Sequence, residues 1–135
     1  YQCRWVKLKI VNKRSPWLKK ISHLYLPVAH QEGKFLIDKR VIVKLKKKRL
    51  IACKYMYNNH SLAKRKFPYN PNGTVEDIAG ITNLKGNVLA MMPHPERALY
   101  FLQNPEWINQ KSKMKKNKIY ADGYRIFKNA YNYFK

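Results

Sequence analysis

Residues 86–97, Gly-Asn-Val-Leu-Ala-Met-Met-Pro-His-Pro-Glu-Arg, constrain the fold more than any other stretch. Val88, Leu89, Ala90, Met91 and Met92 form an apolar run bounded by Gly86-Asn87 and by Pro93, the pattern of a buried strand. Two prolines then flank His94. Each fixes its own φ and drives the residue before it out of the α region. The spacing predicts an extended Pro93-His94-Pro95-Glu96 segment. Alternate side chains of extended backbone point the same way. His94 and Glu96 are therefore expected to project together past the strand's carboxyl end, where open α/β sheets bind ligands. A carboxylate beside an imidazole can fix its tautomer and leave the other ring nitrogen to accept a proton from a thiol or hydroxyl. A histidine that only ends a strand, beside a solvated glutamate, carries the same letters.

The rest of the chain reads as short strands and helices. Val6, Leu8 and Ile10 alternate with Lys7 and Lys9, predicting a half-exposed strand over 4–11. A turn at 12–16 and a short helical or irregular segment at 17–23 lead to a strand at 25–29. That strand delivers His30-Gln31-Glu32-Gly33 into a loop. His30 and Glu32 repeat the His-x-Glu pattern, as lining of a site or as loop-fixing hydrogen-bond partners. Asp38 can cap a helix over 39–49, although Val41, Ile42 and Val43 suit a strand. Ile51, Cys53, Tyr55 and Tyr57 share one face of a further strand, which makes Cys53 a packed thiol more than a nucleophile. A polar excursion at 58–69 and strong turn chemistry at Asn70-Pro71-Asn72-Gly73 precede a strand over 78–82. It pairs hairpin-fashion with the run at 88–92. A helix is predicted from Ala98 to the stop at Asn104-Pro105, then a basic connection over 106–118. In the last helix, Gly123, Ile126, Phe127, Ala130, Tyr131 and Phe134 recur on one face.

Composition narrows the function classes. With 135 residues the chain fits one domain. At 45% hydrophobic and 13% aromatic it can build a core. No run reaches the ~18 apolar residues of a membrane span. Two cysteines are too few for a disulfide framework, so a reduced, cytoplasmic setting is the expectation, and no cysteine or histidine cluster suggests a metal. The net charge of +22 admits a basic nucleic-acid-binding module. However, the basic residues are spread along the chain and match no nucleic-acid motif. A Lys-, Asn-, Ile- and Tyr-rich composition also follows from AT-rich coding DNA.

Met91-Met92-Pro93-His94-Pro95-Glu96-Arg97-Ala98 resembles the C-terminal catalytic segment of class I glutamine amidotransferases, and more narrowly the glutaminase subunit of phosphoribosylformylglycinamidine synthase. Other stretches match in the same order: Cys3-Arg4-Trp5-Val6, then Leu26-Pro27-Val28-Ala29-His30-Gln31-Glu32-Gly33, then Asn70-Pro71-Asn72-Gly73-Thr74 running on to Asp77-Ile78-Ala79-Gly80-Ile81. Asp122-Gly123-Tyr124-Arg125-Ile126-Phe127 fits as well. The resemblance implies an α/β fold: residues 1–135 as the C-terminal portion of one flavodoxin-like amidotransferase domain with an incomplete doubly wound sheet. It favours the helix over 39–49. It makes His94 and Glu96 two members of a Cys-His-Glu triad, with His30 and Glu32 near the glutamine site.

The third member has no counterpart in these residues. Cysteine amidotransferases present the nucleophile on a Gly-x-Cys-x-Gly turn between strand and helix. Cys3 runs into a strand pattern without a glycine, and Cys53 lies in mid-strand. By family pattern the turn precedes Tyr1, and about 90 residues are expected ahead of it, within the length of a typical domain. The expected function is glutamine hydrolysis supplying ammonia to the synthase in purine biosynthesis. The chain alone is expected to be inactive, open at a sheet edge, and either poorly soluble or associated with a complementary piece. A non-catalytic remnant of the fold is the alternative within the family. Implied partners are glutamine, a larger synthetase subunit, a small accessory subunit and the missing part of the domain. No cofactor is expected on this chain, while ATP and Mg²⁺ belong to the synthetase. No specific nucleic acid and no membrane are expected as partners.

Overall fold

The computed structural model describes residues 1–111 and 119–135. Its centre is a five-stranded sheet in the order β2-β1-β3-β4-β5. The strands are β1 (Gln2–Ile10), β2 (His23–His30), β3 (Ile51–Met56), β4 (Ile78–Thr82) and β5 (Leu89–Met91). Three α-helices accompany them: α1 (Lys39–Lys47), α2 (Trp107–Lys111) and α3 (Asp122–Phe134). The alternation in β1 turns Val6, Leu8 and Ile10 into the core, and Leu24, Leu26 and Val28 of β2 meet them there. β3 is covered on both faces: Ala52 and Met56 are as buried as Cys53 and Tyr55. Asp38 caps α1 by accepting from the Arg40 N–H at 2.7 Å, so the capping signal outweighs the β-branched one.

Three sequence expectations need correction. The run at 88–92 is not a buried strand. β5 has three residues, lies at the sheet edge, and leaves Val88 exposed. Residues 98–102 form no α-helix. A single 3-10 turn, Phe101–Gln103, occupies the end of the segment, because the interval before Pro105 is too short to repay helix nucleation. In α3, Gly123, Ile126 and Ala130 are buried, while Phe127, Tyr131 and Phe134 stay exposed, so the packed stripe is narrower than the periodicity indicates. The expected connection over 106–118 begins with α2, and its remainder at 112–118 lies outside the described residues.

The mixed α/β class holds, and each strand pairing among the described residues is antiparallel. Short connections of the β4–β5 kind permit nothing else, since a parallel pair needs a crossover of a dozen or more residues. The sheet also curls. The chain leaving β5 bonds first to β4, through Met92 N–H to the Ala79 carbonyl at 3.0 Å. It then reaches the opposite edge, where the His94 N–H donates to the Pro27 carbonyl of β2 at 2.8 Å. Pro27 offers a carbonyl and no N–H, as suits an edge strand. This one bond sets the segment that follows β5 beside the middle of β2.

Candidate functional site

His94 stands at that contact. Its backbone is extended, with φ −97° and ψ 94°, as its place before Pro95 requires. The extended tetrapeptide expected from the sequence stops there: Pro95–Arg97 is a 3-10 turn. Proline restricts the residue before it, not the one after, and its own φ suits the first position of a helical turn. The turn serves the same pairing. Glu96 folds back so that its Oε1 lies 2.7 Å from His94 Nδ1. With Nδ1–H donating to the carboxylate, Nε2 becomes the accepting nitrogen. The His94 side chain is 29% exposed and that of Glu96 54%, so the pair sits at a rim within reach of a reactant. Arg97 Nε lies 4.0 Å from Glu96 Oε1.

Helix α3 backs this turn. The Gly123 N–H donates to the Ala98 carbonyl at 2.9 Å. A β-carbon at Gly123 would overlap the Pro95 and Ala98 carbonyl oxygens. The neighbouring Asp122 carboxylate accepts from the Tyr25 N–H of β2 at 2.8 Å. Two adjacent residues at the start of α3 therefore hold both the turn and the strand on which His94 rests. The sequence marked Asp122-Gly123 as a family motif and a helix start. Its backing role appears once the chain is folded, because nearly thirty residues separate it from His94.

The second His-x-Glu is not a pair. Glu32 is exposed and makes no side-chain hydrogen bond among the described residues. His30 instead takes Asn72, whose amide nitrogen lies 2.9 Å from His30 Nε2. Gly33 is buried against both, and a β-carbon there would overlap the His30 ring and the Asn72 amide. Burial lowers the His30 pKa, a bond to its own backbone opposes this, and nearby His94 and the chain N-terminus lower it further. His30 thus lies close enough to sense the charge on His94. An apolar hollow of about 260 Å³ opens next to these groups, lined by Gly33, Phe35, residues 78–81 of β4 and Met92. His94 adjoins this hollow through Met92 but does not itself line it.

The two cysteines sit in opposite surroundings. Cys53 is fully buried under Gly80, and burial pushes its thiol up to about 12. Cys3 is exposed within β1, opposite Ala29.

Comparison with known proteins identifies the family. Residues 1–134 match the model of the CobB/CobQ-like glutamine amidotransferase domain. Phosphoribosylformylglycinamidine synthase subunit PurQ of Methanococcus maripaludis is 37% identical in an alignment covering 99% of this chain and 51% of the relative. The subunit of that name from Dehalococcoides mccartyi is 41% identical over 96% of this chain and 48% of its own length. Among solved structures, a chain of PurLQS from Thermotoga maritima superposes with a TM-score of 0.61 at 28% identity, covering 99% of this chain and 48% of that one. This agrees with a partial flavodoxin-like amidotransferase fold. The chain spans about half the length of the curated relatives it matches. On the strength of the near-complete domain match, the chain belongs to the CobB/CobQ-like glutamine amidotransferase family.

Proposed function

We propose that this chain supplies the base and its orienting carboxylate to a glutaminase, which delivers ammonia to phosphoribosylformylglycinamidine synthase in purine biosynthesis. The observation that carries the reading is the 2.7 Å contact from His94 Nδ1 to Glu96 at an accessible rim. In this reading a cysteine thiolate from outside the 135 residues attacks the glutamine carboxamide carbon. His94 Nε2 takes the thiol proton, passes it to the departing ammonia, and then accepts a proton from the water that hydrolyses the thioester. Glu96 holds the tautomer and stabilises the imidazolium. Free thiols ionise near pH 8.5, so at neutral pH the base sets how much thiolate forms. Ammonia then passes to a synthetase partner, where ATP and Mg²⁺ belong. Alone, the chain releases no ammonia from glutamine.

The test is His94→Ala in the complete subunit assembled with its synthetase. Glutamine-dependent turnover should fall by about 10³-fold or more, while synthesis from added ammonia continues. Equal loss of both activities would make His94 a folding residue.

A further inference from the structure

The opposite end of β1 from His94 carries a second concentration of chemistry. Val11, Leu45 and Ile51 line a groove of about 720 Å³ together with Lys13, Arg14, Lys46, Arg49 and Lys54. Glu76 engages two of these cations, Lys46 at 2.7 Å and Lys54 at 3.4 Å. Lys13, Arg14 and Arg49 have no carboxylate partner among the described residues. Three unpaired cations around one hollow repel each other.

The backbones of the two arginines are held by one side chain. Arg49 follows the end of α1 with φ 54°, a left-handed position that glycine usually fills. A side chain there crowds the neighbouring carbonyl, so the conformation needs support. One buried side chain holds this conformation: the Asn12 amide nitrogen donates to the Arg49 carbonyl, while Asn12 Oδ1 accepts from the Arg14 N–H at 2.9 Å. A single amide thus sets the backbone from which both guanidinium groups depart.

We propose that this groove is a binding site for a compact oligophosphate anion. Arg14 and Arg49 would grip phosphate oxygens, and Lys13 would add a point charge. Guanidinium groups match phosphate with paired N–H donors in a fixed fork. The volume suits a small molecule. Among the described residues no aromatic side chain lines the groove, which disfavours the base-stacking platform of a single-stranded nucleic acid. The site is separate from the His94 pair and does not depend on the glutaminase reading.

Inorganic pyrophosphate is the probe, titrated into the complete protein at 150 mM salt by calorimetry and by ¹⁵N shifts of the arginine Nε groups. We expect saturable one-to-one binding, with shifts concentrated at Arg14 and Arg49. The double substitution Arg14→Gln/Arg49→Gln should weaken it about tenfold or more. Asn12→Ala keeps both charges but should still weaken binding several-fold. A control that removes the same charge elsewhere, Lys7→Gln/Lys128→Gln, should bind as the parent does. Non-saturating uptake, an equal loss in the control, or binding of a single-stranded oligonucleotide without pyrophosphate binding would overturn the proposal. If Asn12→Ala fails to fold, the arginine pair against its control still decides.

Discussion

Gly33 shows how little room surrounds the site. Its missing side chain is what lets the His30 ring and the Asn72 amide meet. Because His30 has a lowered folded pKa, an unfolded chain binds that proton first as pH falls. The stability tied to neutral His30 is full above the unfolded value near 6.5 and is lost as pH falls through the lowered folded value. We expect the thermal midpoint to drop between pH 7.5 and pH 5, and His30→Gln to flatten part of that slope. An unchanged slope would remove His30 from the linkage. The two thiols should separate as sharply. With Cys53 pushed up to about 12 by burial and Cys3 exposed, iodoacetamide at pH 8 should alkylate Cys3 alone in the native protein. Urea should expose both, as read by peptide mass spectrometry.

At the scale of elements, the contact between the start of α3 and the Pro95–Arg97 turn governs the His94 pair. Gly123→Ala would set a methyl group against the Pro95 and Ala98 carbonyls. Overpacking of this kind typically costs about 1–3 kcal/mol, and either the helix or the turn must yield. We expect a lower thermal midpoint together with loss of the Nδ1-protonated signature of His94 in ¹⁵N imidazole spectra. A midpoint change with an unaltered His94 spectrum would confine Gly123 to packing. The preceding loop shows the same economy of contacts. The buried Asp77 carboxylate accepts from the Lys64 and Arg65 N–H groups, each at 2.7 Å, and from the Asn70 amide at 2.8 Å. The polar excursion over 58–69 is thereby tied back to the sheet. Composition marked it as surface, and could not show that a carboxylate twelve residues on holds its backbone.

For the whole molecule, charge and exposed apolar surface pull in opposite directions. A net charge of +22 on 135 residues keeps copies apart and strains the compact state. Leu36, Leu84, Val88, Tyr131 and Phe134 remain exposed, and β5 leaves an open sheet edge. Salt screens the first effect without weakening the second. Between 50 and 500 mM sodium chloride, we expect the thermal midpoint of the 135-residue chain to rise and its sedimentation coefficient to become concentration-dependent. A midpoint that falls with salt would show that attractive surface pairs outweigh the repulsion.

The residues alone determined strands β1 to β4, the cap of α1, the packed place of Cys53 and the pairing of His94 with Glu96. These depend on alternation, on capping, and on prolines acting over one or two residues, so local order suffices to read them. The curl of the sheet decided the rest. It set His94 against β2, gave His30 to Asn72 instead of Glu32, left β5 at an edge, and laid Gly123 on the turn. Such contacts join residues tens of positions apart. Closing those distances depends on the packing of the entire core, and no periodicity in the chain records which carbonyl a distant N–H will meet.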